Sequence, residues 1–342
     1  MSILRCDRSH ATAWNEFVGR APGASFYHRW EWGAINEAAF GHETACLAAF
    51  DGAQLTGVLP LVRLKSRLFG HIACSMPFVN YGGPAGLSDE IERDLVSAAA
   101  QVAETWGVDY VEIRSQRQFG ERYPTSEHKV SLRIRLDRDP DEVLARMPRD
   151  HRAEIRRASK RGFVARFGPE LIDDFYLVLS ESWRDLGTPL YRVGYLKAIL
   201  DGFPGATRLC VIYDQAGRPA AGAFDGLHND TVEGMWLAMR GEYRRQLVGY
   251  VLYWELIKNA CEQGFRVFHL GRSSRDSGGE QFKKKWAADA VQLYWQYILR
   301  SRSDIPALNP DNERFRLAIR VWQKLPLWIT QAIGPQIARS IP

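Results

Sequence analysis

Three consecutive lysines, Lys283, Lys284 and Lys285, lie between Phe282 and Trp286, shortly after a segment that ends Gly271-Arg272-Ser273-Ser274. A strand that finishes in glycine and serine exposes backbone N–H groups, and the lysines add positive charge beside them. That combination suits an anionic group, or a carbonyl oxygen that becomes negative during reaction. The chemistry it points to is transfer of an acyl or aminoacyl group. Read as extended chain, Lys284 and Lys285 alternate in direction, so one of the two faces away. A solvated charge run is the competing reading, and the flanking aromatics argue that the segment is anchored. Arg272 and Ser273 are candidates for holding an anion, with Glu280 or Asp276 as alternative partners for the arginine.

The elements that must position these groups precede them. Residues 250–262 read as an amphipathic helix, and Gly264 separates it from the apolar strand FRVFHLG. Before the helix, Arg244, Arg245 and Gln246 lead through Leu247 and Val248 to Gly249. A helix that opens in this way aims N–H groups and its positive end at a phosphate or pyrophosphate. One glycine at such a joint is weak by itself and gains weight from the strands on either side. The chain has no GxSxG elbow, no cysteine in a Cys/His setting, no HExxH and no GxxxxGK[ST]. Direct attack within a ternary complex therefore fits better than a covalent enzyme intermediate, and no metal is expected.

At 342 residues the chain is long enough for two cores. Its net charge of +5 fits phosphorylated or anionic partners and falls short of a dedicated nucleic-acid binder, so DNA is not expected. Five scattered cysteines, none in CxxC spacing, point to free thiols in a reducing cytoplasm. No window has the length and apolarity of a membrane span or a signal peptide.

Two segments share one layout. TACLAAFDGAQLTGVLPLVRL reads as a hairpin around Asp51-Gly52, and RLCVIYDQAGRPAAGAFDGL repeats it. Each is followed by a helix, a glycine (Gly107 or Gly264) and an apolar strand. The expectation is a mixed α/β fold built from tandem duplicated domains: 1–145, a basic connecting helix over 146–165, and 166–302. On the connecting helix Arg149, Arg152, Arg156 and Lys160 share a face, either solvated or lining a phosphate-holding cleft. The last segment, 303–342, is an amphipathic tail in which Phe315, Ile319, Trp322 and Leu325 have helical spacing among basic residues. Such a tail either packs back on the body or a second subunit, or lies on an anionic membrane.

The order strand, Arg/Gln-x-x-Gly, helix, strand is similar to the GNAT acyltransferases. The fuller pattern resembles FemAB-like transferases, in particular the subgroup associated with exosortase/PEP-CTERM systems. It comprises Trp30-Glu31-Trp32, GVLPLV, MPFVNYGG, Arg152-x-x-x-Arg156-Arg157-Ala158-x-Lys160-x-Gly162, YWELI, GFRVFHLGRSS and FKKKW. The resemblance runs along nearly the whole chain and is most specific at GRSS…FKKKW. Val251 stands where GNAT enzymes usually carry glycine or alanine.

The resemblance implies two GNAT-like domains, with acyl-CoA, acyl-carrier protein or aminoacyl-tRNA as co-substrate and no permanently bound cofactor. It makes Lys283 the group that stabilises an oxyanion or phosphate. It makes Glu233 the candidate base, unless strand alternation sends that residue to solvent. His269 reads as a core histidine. Arg244, Arg245, Gln246 and Gly249 are the expected donor contacts. Arg272, Ser273, Lys285, Arg152 and Arg156 are expected at the acceptor or its phosphates, as are Asn80 and Tyr81 in a polar Gly-Gly turn and Tyr191 after GTPL. The expected acceptor is an amine or hydroxyl of a small-molecule or lipid-linked envelope, peptidoglycan or exopolysaccharide precursor. The expected site is the cytoplasm, with peripheral contact at the inner membrane. The alternative is a non-catalytic protein that binds RNA, including tRNA, or an envelope precursor.

Overall fold

The computed structural model describes residues 1–66, 70–301, 304–305 and 313–341. Residues 303, 306–312 and 342 of the expected 303–342 tail, and the Phe315 side chain, thus lie outside the described residues. In chain order the first elements are β1 (Ser2–Cys6), α1 (Ala11–Val18), α2 (Glu31–Phe40), β2 (Thr44–Asp51), β3 (Gln54–Ser66), β4 (Gly70–Cys74), β5 (Ala85–Gly86), α3 (Asp89–Trp106) and β6 (Tyr110–Ser115). Next come β7 (Thr125–Arg135), α4 (Pro140–Ala145), α5 (Arg149–Ser159), β8 (Val164–Phe167), α6 (Ile172–Leu186), α7 (Val193–Gly202), β9 (Thr207–Tyr213), β10 (Pro219–His228) and β11 (Thr231–Met239). The last are α8 (Val248–Glu262), β12 (Val267–Ser274), α9 (Gly278–Lys284), β13 (Ala288–Leu299), α10 (Glu313–Lys324) and α11 (Leu327–Ala338). Packing divides the chain into two units: Met1–Val130 with Val291–Ala307 and Arg339–Pro342, and Ser131–Ala290 with Leu308–Ala338.

In the first unit β1, β2, β3 and β4 pair antiparallel, β4 pairs parallel with β6, and β6 pairs antiparallel with β13. Strand β2 shows why both faces are covered. Ala45, Leu47 and Ala49 pack with α3 residues such as Leu95, Ala99 and Val102, while Cys46 and Ala48 pack with Trp14 and Phe17 of α1. A strand buried on both faces reads as a continuous apolar run. The Asp51-Gly52 hairpin forms as expected. Ser88 accepts from the Ile91 N–H at the start of α3, three acidic residues occupy its first turn, and left-handed Gly107 closes it.

In the second unit β8, β9, β10 and β11 pair antiparallel, and β11 pairs parallel with β12. Phe175 of α6 meets Phe224 of β10 edge-to-face. One residue on, Asp225 points to the opposite face, where Arg208 grips it with two bonds of 2.9 and 2.7 Å. Arg208 also donates to the Leu256 carbonyl and to Asn259, which ties α8 to the strands. The buried carboxylate and guanidinium thus satisfy each other and the end of a helix.

The parallel pair is short. Thr231–Glu233 pair with Val267–His269, and both strands then run on, to Met239 and Ser274. A β-bulge explains the divergence: Phe224 faces Trp236 but Asp225 faces Gly234, so Met235 is an extra residue on β11. At Gly234 the strands are at their closest, since a Cβ there would lie 2.7 Å from the His269 carbonyl oxygen.

The C-terminal segment forms two helices, α10 and α11, that pack on α6. Ile319 lies against Gly187, Trp322 is buried, and Gln323 donates to the Asp185 carbonyl at 2.9 Å. The inward face of the amphipathic pattern therefore packs back within the second unit.

Gly234→Ala is expected to destabilise the fold by about 1–3 kcal/mol in denaturant unfolding, because a backbone atom has to move. Gly278→Ala, whose added Cβ meets nothing within 4 Å, should stay within about 0.5 kcal/mol of the parent. Equal midpoints for the two variants would contradict the close approach at Gly234.

Candidate active site

Lys283 lies in α9, half-buried, with its Nζ donating to the carbonyls of Gly271 at 3.2 Å and Arg272 at 3.1 Å. The helix is short and has three supports. Ser277 accepts from the Glu280 N–H at 3.2 Å, and Glu280 accepts from the Asp276 N–H at 2.6 Å. Lys284 bonds Glu280 at 2.7 Å. The expectation of an extended FKKKW segment is thus corrected, because the cap at Ser277 starts a helix that runs through Lys284. Glu280 serves the cap and Lys284. Burial pushes the Lys283 pKa down to about 8, with the Arg272 charge adding to it.

Beneath α9 is an aromatic cluster. Trp286 stacks on Tyr253 at 5.2 Å, and Phe282 meets Tyr250 edge-to-face at 5.5 Å. From α5, His151 sets its ring perpendicular to Trp286 at 4.5 Å. His151 is 1% exposed, and neither ring nitrogen has a hydrogen-bond partner among the described residues. Burial and the nearby Lys285 hold its pKa down at about 4, against a weaker opposing pull from Asp150. The imidazole acts as an apolar wedge that joins α5, α8 and α9. His151, Ile155 and Ala158 form the inward face of α5. Arg152 is half-buried and Arg149, Arg156 and Lys160 are exposed on the rest of the helix.

Two residues back along β12 from Gly271, His269 places Nδ1 3.1 Å from Oε2 of Glu233 on β11. Both side chains are buried, at 5% and 2% exposure. Strand alternation thus directs Glu233 inward, and His269 is its partner. The pair closes the last register position before the bulge, at the vertex where β11 and β12 part. In the sequence these two residues lie 36 positions apart, and only the parallel register of β11 with β12 brings them together.

At the other end of β11, a 3-10 turn over Gly241–Gln246 precedes α8, and left-handed Leu247 (φ 63°) redirects the chain into the helix. No side chain caps α8. Arg244, Arg245 and Gln246 are exposed around this helix start. Gly249 sits in the first turn, where a Cβ would lie 3.1 Å from Met239 Cε. Cationic side chains and an uncapped helix N-terminus are the physical requirements for holding phosphate.

Arg272 and Ser273 are half-buried on β12, and Lys285 is exposed at the end of α9. Tyr191 is 8% exposed and packed among Trp183, Tyr195 and Trp236, where its side chain supports the loop. In the first unit Asn80 and Tyr81 are buried, with Asn80 donating to the Tyr27 hydroxyl at 2.8 Å. The space beside Gly82 and Gly83 is filled by Met76 and by Ser115. The same unit buries an ion pair that sequence inspection missed, Arg114 to Glu112 at 2.6 Å, with the guanidinium over the Trp295 ring. Its signal was the charged pair inside the apolar strand YVEIRS. All five cysteines are free and buried.

Residues 145–284 match the family model of the acetyltransferase (GNAT) domain. Among solved structures, FemX aligns over 88% of this chain and 98% of its own at a TM-score of 0.66 and 14% identity. L-PGS from Bacillus licheniformis aligns over 94% and 98%, at 0.56 and 13%. A tandem GNAT protein from the clavulanic acid biosynthesis pathway aligns over 89% and 99%, at 0.55 and 13%. No curated protein matches the chain by sequence. The chain thus has the mixed α/β fold of the GNAT/FemAB acyltransferases.

The His151 environment makes a pH prediction. An unfolded imidazole gains its proton near pH 6.5, whereas the folded one resists until about 4. Between those values the unfolded state binds more protons, so stability falls as pH drops through the window. His151→Phe keeps the aromatic wedge and cannot titrate. It should retain up to about 3 kcal/mol more of its neutral-pH stability at pH 4 than the parent does. Parallel acid-unfolding curves for the two proteins would contradict a buried neutral imidazole.

Proposed function

We propose that this chain is an acyl- or aminoacyl-transferase whose acceptor is an amine or hydroxyl of a cell-envelope, peptidoglycan or exopolysaccharide precursor. The observation that carries the proposal is the half-buried Lys283 cation, fixed by the Gly271 and Arg272 carbonyls, two residues along β12 from the Glu233–His269 pair. In this reading the donor lies along the divergent strands. Its phosphates face the uncapped start of α8 with Arg244, Arg245, Gln246 and the small Gly249. Acyl-CoA and aminoacyl-tRNA both present phosphates and a reactive acyl carbon, and the divergence of β11 from β12 leaves backbone for an extended arm to meet.

The acceptor's amine or hydroxyl attacks the acyl carbon directly. The bond from that carbon to the donor's sulfur or ester oxygen then breaks, and the donor leaves as a thiol or hydroxyl that takes up the proton the nucleophile gave. As the carbonyl oxygen gains charge, the Lys283 ammonium stabilises it, which is worth more where water is sparse. Glu233, oriented by His269, is the group proposed to receive the nucleophile's proton. Arg272, Ser273, Lys285, Arg152 and Arg156 are proposed for the acceptor's anionic groups, while Tyr191 is assigned to packing within the second unit and Asn80 and Tyr81 to packing within the first. Likeness to FemX and to L-PGS supports an acceptor among envelope or lipid precursors, and the shared hairpin–helix–strand layout supports a tandem duplication. Action from the cytoplasm, at the inner face of the membrane, belongs to the same proposal, as does membership of the exosortase/PEP-CTERM-associated subgroup.

Acetyl-CoA and charged tRNA, each added to the purified chain, should separate the donors, because one that binds the native state raises its melting temperature. With that donor, Lys283→Ala should fold normally and transfer about 10²–10³ times more slowly. The parent's rate should fall as pH rises through about 8, where the ammonium loses its proton. Lys283→Arg, always charged, should lose that limb while remaining slower. A rate that instead rises through about 8 in the parent alone would make the lysine a base and contradict the assigned role. Tight donor binding without turnover of any acceptor would favour a binding protein.

A further inference from the structure

The outward face of the C-terminal helix pair combines two properties. Leu317 (64% exposed) and Val321 (53%) lie one turn apart on α10, and Trp328 (70%) and Ile333 (43%) project from α11. Leu186, also exposed, ends α6 beside Gly187, against which Ile319 packs. More than half of the large apolar side chains exposed among the described residues therefore lie on these two helices and at the end of α6. The inward residues, Ile319 and Trp322, are already used, so the exposed set is not an unfolded remnant of the core.

The second property is charge. Arg316, Arg320 and Lys324 are exposed at successive turns of α10, in a stripe next to Leu317 and Val321. From position 314 to the end of the chain there are five basic residues and no acidic one. The net charge of the whole chain is +5, so residues 1–313 are balanced and the entire excess resides in this segment. A protein partner of ordinary surface would not require that segregation. An anionic bilayer does, since it takes up apolar side chains at its headgroup boundary and attracts the adjacent cations.

We propose that α10 and α11 dock the protein on an anionic lipid surface. Trp328, Leu317 and Val321 enter the headgroup boundary, and Arg316, Arg320 and Lys324 face lipid phosphates. No helix among the described residues is long and apolar enough to cross a membrane, so the contact is peripheral and reversible. The inference does not rest on the transferase reading. A chain that docks on lipid and transfers nothing would leave it standing.

Cosedimentation of the full chain with phosphatidylcholine vesicles, with and without about one-third phosphatidylglycerol, tests it. Binding is expected to the mixed vesicles only and to weaken as salt is raised. Replacing Arg316, Arg320 and Lys324 together by glutamine should weaken it roughly a hundredfold, near the sum expected for three surface cations. Trp328→Ser with Leu317→Ser, at exposed positions that the fold does not use, should weaken it at least tenfold while the melting temperature stays unchanged. Three results would overturn the proposal: no binding to the mixed vesicles, binding that both variants retain, or a self-associated chain whose dimer is lost in the apolar variant. The last would make the partner a second copy.

Discussion

A lysine ammonium can be half-buried only if something replaces the water it leaves, and here two carbonyls at the end of β12 do so. The packing around α9 follows from keeping Nζ within reach of Gly271 and Arg272. The cap at Ser277 and Glu280 starts α9 at the right residue. The Trp286–Tyr253 stack fixes its far end, and His151 wedges it from α5. A seven-residue helix has little stability of its own, so this aromatic floor supplies what propensity cannot.

The second constraint is the meeting of β11 and β12. Their parallel register runs over three positions and then stops, while both strands continue. Gly234 permits the close approach, the bulge at Met235 ends it, and Glu233 and His269 face each other at the last paired position. The carboxylate, through His269, and the lysine, through the Gly271 and Arg272 carbonyls, are thus both held from β12. Arg208, bridging Asp225 and the Leu256 carbonyl, holds α8 to the same sheet.

Much of this was legible in the residues. The Asp51-Gly52 hairpin, the glycines closing helices before apolar strands, the helix opening at Gln246–Gly249 and the inward Ile319 and Trp322 all rest on local rules of turn, cap and period. Parts of the site were not. FKKKW looks extended because nothing within it starts a helix, and the starting signal, Ser277 with Glu280, belongs to what reads as a glycine-serine turn. Glu233 and His269 were visible singly, yet their pairing depends on a register set far away by the bulge. His151 passed unmarked in a run of arginines, although its spacing to Ile155 and Ala158 places it on the buried face. Local chemistry reads from sequence, whereas pairing across strands needs the fold.

The central claim is that Lys283 faces the donor's acyl oxygen. A crystal structure with an unreactive acyl or aminoacyl donor bound to the full chain tests it most directly. The account predicts the acyl oxygen about 3 Å from Nζ, with the donor's phosphates at the start of α8. A donor bound elsewhere, or one whose acyl group leaves Lys283 bonded only to the Gly271 and Arg272 carbonyls, would contradict it.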